Sequence, residues 1–177
     1  MVGDIIQPLT FLACKGEKIM NKFEGILICT DLDGTLLRND KSISSENTEA
    51  IEYFKKEGIE YEDFGTYTAD SCDYPDIAEK VCEAILSGKC DKGILVCGTG
   101  IGMSIAANKV KGIRAAHVTD TFSARMSREH NNAHIICLGE RITGLDLGLD
   151  IVKSYLSAEF QGGRHETRVN KIMALDK

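Results

Sequence analysis

Three features of the sequence predict a three-layer α/β sandwich on a five-stranded parallel sheet, with a C-terminal helical extension. Short apolar runs recur from residue 25 to 138, a turn rich in Gly or Asp follows several of them, and segments of helical periodicity lie between. Apolar strands of this kind, alternating with helices, are buried on both faces, the pattern of a parallel sheet covered by helices on either side.

The elements follow in order. The first strand is Gly25 to Thr30 (GILICT). After a polar loop a helix is expected from about Ser45 to Glu57, with Ala50, Ile51 and Phe54 on its apolar side and Gly58 as its stop. A second strand covers about Ile59 to Phe64. Pro75 suits the first turn of the next helix, along which Ile77, Val81, Ala84 and Ile85 recur at helical spacing before Gly88 ends it. The third strand is Gly93 to Val96, with a helix from about Met103 to Val110. The fourth is Ile113 to His117, with a helix over about Thr121 to His130. The fifth is His134 to Leu138, with a helix over about Leu145 to Leu156, and a last helix begins near Arg164. This order is Rossmann-like.

Bulk properties bound the function. The 177 residues suit one globular unit, expected over 21–177, and the 43% hydrophobic content suffices for a core. Residues 1–20 are expected to be a disordered leader, with Met20 as an alternative start. Phe11 to Cys14 faintly resembles a lipoprotein cleavage site, but no basic stretch precedes it, which argues against a signal peptide. The net charge of -6 and the lack of a basic stripe argue against nucleic acid. No apolar run approaches the roughly 20 residues of a membrane span. The seven cysteines are scattered, without a C-x-x-C pair, and several sit in apolar runs, as in Leu27-Ile28-Cys29 and Ile135-Ile136-Cys137. They read as small buried hydrophobes of a protein in the reducing cytoplasm.

In parallel sheets ligands bind at the carboxyl ends of the strands. There the strongest motif is Cys97-Gly98-Thr99-Gly100-Ile101-Gly102, leading into a helix. Glycines at alternate positions let a ligand approach the main chain, and the helix start favours an anion or a developing oxyanion, and a thiolate at Cys97. The spacing G-x-G-x-G matches neither G-x-G-x-x-G nor a loop ending in Gly-Lys-Ser/Thr, so neither standard nucleotide loop fits. A tight turn without a ligand satisfies the motif equally.

The run ILVCGTGIGMSIAANKVKGIR, Ile94 to Arg114, resembles the signature of type B ribose-5-phosphate isomerases, whose family includes galactose-6-phosphate isomerase subunits. The resemblance continues through DTFSARMSREHNNA (Asp120 to Ala133), CLGERITG (Cys137 to Gly144) and EFQGGRHETRV (Glu159 to Val169). Upstream it takes in EYEDFGTY (Glu60 to Tyr67) and DYPDIAEKV (Asp73 to Val81), so it covers about residues 59 to 172.

The resemblance implies an enzyme interconverting ribose 5-phosphate and ribulose 5-phosphate through an enediolate, without metal or organic cofactor. It implies Cys97 as the base, with Thr99 also catalytic, and Gly98, Gly100, Ile101 and Gly102 around the enediolate. It implies His130 as the proton donor in opening the furanose ring, and Asn131, Arg141, Arg164 and Arg168 as substrate contacts. The spacing of Arg164 and Arg168 puts both on one face of a helix, a suitable phosphate clamp. The resemblance also implies a homodimer or homotetramer with a pocket shared between subunits. His117, His134 and His165 lack such support and read as structural.

The first strand departs from the family. Where relatives have Ser-Asp-His-Ala-Gly, this chain has Thr30-Asp31-Leu32-Asp33-Gly34. Asp31 keeps the family's aspartate as a substrate contact, whereas Leu32 replaces a substrate-contacting histidine. DLDGTLLR, Asp31 to Arg38, resembles instead the first motif of haloacid-dehalogenase-type phosphatases, in which Asp31 would be nucleophile and Asp33 acid/base beside magnesium. That resemblance runs over about residues 21–58, and the remaining phosphatase motifs are absent from the sequence. The expected organisation is a phosphatase-like first strand-loop-helix unit over 21–58 joined to an isomerase-like domain over 59–177. Three functions compete: the isomerase, a sugar-phosphate-binding pseudoenzyme or galactose-6-phosphate isomerase-like subunit, and last a magnesium-dependent phosphatase.

Overall fold

The computed structural model describes the backbone of residues 26–30, together with residues 62, 64 and 73–176. The elements are β1 (Ile26–Thr30), α1 (Tyr74–Leu86), β2 (Lys92–Cys97), α2 (Ile101–Ala107), β3 (Ala115–His117), α3 (Thr121–Asn131), β4 (Ile135–Gly139), α4 (Leu145–Leu156) and α5 (Arg164–Met173). The four strands form one parallel sheet in the order β1-β2-β4-β3. The expected helix over Ser45 to Glu57 and strand over Ile59 to Phe64 lie outside the described elements. The sheet therefore has four strands among the described residues.

Alternation along the strands makes three layers. Leu95, Ile135 and Cys137 face one side, where they pack with Ile77, Val81 and Ile85 of α1 and Met103 and Ala107 of α2. Ile94, Ile136 and Leu138 face the other, against Ala124 of α3 and Ile151, Val152 and Tyr155 of α4. Two apolar faces on each strand account for the unbroken hydrophobic runs in the sequence. Tyr155, fully buried, donates its hydroxyl to the Ala133 carbonyl at 3.0 Å, pinning α4 to the entry of β4. No helix among the described residues is long and apolar enough to cross a membrane.

Most boundaries agree with the sequence reading. Pro75 sits in the first turn of α1, and Gly88, with φ +72°, follows its end. Two elements are shorter than expected. α2 ends at Ala107 because the Asn108 side chain turns to β3: its amide donates to the Ala115 carbonyl at 2.7 Å and its oxygen accepts from the Ala115 N–H at 3.0 Å. β3 begins at Ala115 because Ile113 closes a turn on Val110 and the Arg114 N–H points to the His134 ring.

His134, which reads from sequence as structural, is held by Arg114. Its half-buried ring lies between the Arg114 N–H, 3.3 Å from Nδ1, and the Arg114 guanidinium, 3.1 Å from Nε2. Burial first, then the charges of Arg114 and Arg128, hold its pKa down at about 4. An unfolded imidazole titrates near 6.5. Between the two values the unfolded chain binds a proton that the folded chain does not. The His134 contribution is therefore complete above pH 6.5, shrinks as pH falls and levels off below about pH 4. The expected loss is on the order of 2–3 kcal/mol. Denaturant unfolding at pH 7 and 4.5 checks it, and His134→Gln should flatten the dependence; an equal slope in both proteins would refute it.

Candidate active site

Because all strands are parallel, Thr30, Cys97, His117 and Gly139 end at one edge of the sheet and Ile26, Lys92, Ala115 and Ile135 begin at the other. At the carboxyl edge, Cys97 closes β2 with its side chain in the core, and its Sγ accepts the Gly100 N–H at 3.2 Å. An N–H aimed at sulfur stabilises negative charge on it. Gly100 has φ +76°, and a Cβ there would stand 2.8 Å from His117 Cδ2 and from the Leu138 carbonyl carbon, so only glycine fits.

The exit of β4 is fastened onto this turn. The Glu140 N–H donates to the Cys97 carbonyl at 3.0 Å and the Arg141 N–H to the Gly98 carbonyl at 3.2 Å. Arg141 consequently lies across Gly98, whose missing Cβ would be 3.3 Å from its Nε, and it pairs with Glu140 at 3.3 Å. Thr99 is exposed, its hydroxyl 3.4 Å from the Ile101 N–H, and the Ile101 side chain faces solvent. Gly102 leaves room for Tyr74, whose ring carbon Cζ would be 2.8 Å from a Cβ there.

Gly139 is the tightest point: a Cβ there would stand 2.6 Å from the Thr99 carbonyl carbon. Gly139→Ala is expected to push the turn off β4, at about 1–3 kcal/mol of stability, with a larger proportional loss of turnover. Melting curves and initial rates check this; a variant with parental rates would refute the coupling of turn and strand.

The carboxyl edge therefore holds Cys97, Gly98, Thr99, Gly100, Ile101, Gly102 and Arg141. It adds Tyr74 and His117, which the sequence reading missed. His117 reads from sequence as structural although it ends a strand at the edge where ligands bind, and that position is the available signal. Tyr74 lies within a quoted motif, but only its contact with Gly102 marks it.

The other predicted residues lie elsewhere. His130 and Asn131 finish α3, which runs from the carboxyl edge back to the amino edge before β4. The Asn131 carbonyl accepts from Arg114 Nε at 3.0 Å, and Asn132 closes the helix with φ +48°. Arg164 and Arg168 are exposed on the first turns of α5, so the predicted helix spacing holds. α5 is anchored at that same edge by Gln161 on Glu129 and by Met173 and Asp176 on Arg114 and Gly112. The His130 and His165 rings stack with centroids 4.1 Å apart and planes 5° from parallel. One chain thus separates the predicted site residues onto opposite edges of its sheet. Asp31 lies outside the described residues.

Among the other cysteines, burial pushes the Cys82 thiol up to about 12 and raises those of Cys90 and Cys137. These are inert packing groups, as expected for Cys137 from its apolar run.

The ribose/galactose isomerase family model matches residues 36–172. The chain belongs to the ribose/galactose isomerase family. It is 43% identical to ribose-5-phosphate isomerase B of Escherichia coli over 73% of this chain and 87% of that one. It is 45% identical to D-erythrulose-4-phosphate isomerase of Pectobacterium atrosepticum over 74% of this chain and 86% of that one. Ribose-5-phosphate isomerase B of Clostridium thermocellum superposes with a TM-score of 0.75 at 53% identity, covering 85% of this chain and 96% of that structure. The isomerase family match begins at residue 36 and so enters the segment 21–58 that the sequence reading gave to a phosphatase-like unit. The isomerase likeness is longer than the 59–172 carried by its motifs. Asp31, Leu32 and Asp33 fall upstream of the match.

Proposed function

We propose that this chain is an aldose–ketose isomerase interconverting ribose 5-phosphate and ribulose 5-phosphate through an enediolate. The observation that carries the reading is the Cys97 sulfur held under the glycine turn by the Gly100 N–H, in a chain of this family. The Cys97 thiolate removes the proton from carbon 2 of the open aldose. The electron pair moves into the carbon 1–carbon 2 bond and leaves the charge on the carbonyl oxygen, which takes up a proton while the carbon 2 hydroxyl gives one up, shifting the charge to oxygen 2. Return of a proton to carbon 1 gives the ketose. Thr99, the main chain of Gly98, Gly100, Ile101 and Gly102, and the Arg141 guanidinium surround the charged intermediate. His130 protonates the furanose ring oxygen as the ring opens, and Asn131 and Asp31 hold sugar hydroxyls. Arg164 and Arg168 take the phosphate, for which two guanidinium groups on one helix face are suited.

A homodimer, or a tetramer containing it, joins the two edges. The carboxyl edge of one copy and the amino edge of another make one pocket. The separation of the two residue groups within a chain supports this, as do exposed apolar side chains at the carboxyl edge, Ile101 and Ile105 on α2 and Phe122 and Ile142 nearby. The buried free thiols Cys82, Cys90, Cys97 and Cys137 favour the reducing cytoplasm.

Turnover of ribose 5-phosphate by the purified chain, without added metal, tests the function. Conversion to ribulose 5-phosphate is expected, with a gain of about ten- to hundredfold in Leu32→His, the size of one substrate contact restored. No conversion by either protein would overturn the isomerase reading.

A further inference from the structure

The His130–His165 stack is not required by the proton transfer at Cys97. His165 reads from sequence as a structural residue, and it is buried although it lies between two exposed arginines on α5. Its main-chain N–H donates to the Gly162 carbonyl at 3.0 Å, in the turn formed by Gly162 and Gly163, both at positive φ. This turn lays the ring flat on His130 instead of letting it point to solvent. Face contact at 4.1 Å with planes 5° apart sets the plane of the His130 ring. The edge of the His130 imidazole, where its nitrogens lie, remains for a ligand.

Two cationic rings in face contact repel, so the pair tolerates one charge far more readily than two. The charged groups around His165 are Arg164 and Arg168 on its own helix, with Arg164 Nε 3.5 Å from its Nε2. From α3 come His130 itself and Glu129, whose carboxylate is engaged by the Gln161 amide at 2.9 Å and Arg125 at 3.9 Å. Burial first, then the charges of His130, Arg164 and Arg168, lower the pKa of His165.

We propose that His165 is the positioning residue of the ring-opening acid: its imidazole face fixes the plane of the His130 ring and keeps the pair from carrying two charges. It touches His130 and acts through it. The inference rests on His130 being the proton donor in furanose opening. The net effect is an acid that presents one proton, in one plane, to the ring oxygen. His130 regains it when the 1-hydroxyl gives up its hydrogen as the carbonyl forms.

Ring opening is separable from isomerisation. In a Cys97→Ala background, exchange between the α and β anomers of carbon-13-labelled ribose 5-phosphate, followed by NMR saturation transfer, reports opening and reclosing alone. The background protein is expected to accelerate this exchange, and His130→Gln to abolish the acceleration. Adding His165→Ala should slow it at least about tenfold, a part of what a positioned acid contributes. His165→Phe, which keeps an aromatic face, should recover most of the loss. In the NMR titration of the His165 ring, His130→Gln should move proton uptake to higher pH.

Unchanged exchange in His165→Ala, a Phe variant no better than Ala, or a His165 titration indifferent to His130→Gln would each overturn the positioning role. A background protein that does not accelerate exchange, or one unaffected by His130→Gln, would instead remove the ring-opening assignment on which it rests.

Discussion

Cys97→Ala is expected to lower kcat for ribose 5-phosphate by about 10²–10⁴-fold, the usual contribution of a positioned general base, with little change in KM. The sulfur ends β2 with the Gly100 N–H 3.2 Å away, inside a turn whose glycines let Arg141, His117 and Tyr74 close onto the main chain. The groups assigned to the phosphate, Arg164 and Arg168, are on another element, so ground-state binding survives the loss of the thiol. Cys97→Ser keeps the size and the N–H contact but offers an oxygen that gives up its proton far less readily, and it should remain within tenfold or so of the alanine variant. The Cys97 side chain packs in the core, so removing its sulfur costs on the order of 1 kcal/mol of stability. Initial rates with thermal melting separate the two effects. A folded Cys97→Ala protein with more than a tenth of parental kcat would remove Cys97 from the role of base.

The strands and helices are legible because their packing has the same period as their sequence. Ile94 and Leu95 point to opposite faces and both meet apolar partners, so β2 reads as an unbroken hydrophobic run. Boundaries set by distant partners are not legible. Asn108 ends α2 by bonding to Ala115, a choice its neighbours in sequence do not reveal. The glycine turn is legible as a turn, but not the reason for each glycine: Gly100 clears His117, Gly102 clears Tyr74 and Gly139 clears the Thr99 backbone. Motifs name His130 and Asn131 as partners of Cys97. Topology alone puts them at the opposite edge, since a helix leaving the carboxyl end of β3 must return to the amino end of β4. His165 escapes a reading by sequence because its value lies in a stacking contact across two helices.

That separation leads to the prediction with the most distinctive outcome. Cys97→Ala removes the base from the carboxyl edge and Arg168→Ala removes a phosphate contact from the amino edge, and each protein alone should be severely impaired. In a twofold dimer with shared pockets, each pocket takes Cys97 from one copy and Arg168 from the other. A mixed dimer of the two variants then holds one pocket with both lesions and one with neither. Random pairing makes half the dimers mixed, each with one of two pockets intact, so refolding the variants together should restore about a quarter of parental activity. Mixing without subunit exchange should restore none, which separates reassembly from simple addition of residual rates. Full exchange without recovery would mean that both residues serve a pocket within one chain, and would overturn the shared site. The test is stringent because the distance involved is the length of a strand: Cys97 closes β2 at one edge, while α5 with Arg168 is anchored at the other by Arg114, Gly112 and Glu129. Neither side-chain rotation nor a loop shift spans a sheet, so recovery on exchange would have to come from a second chain.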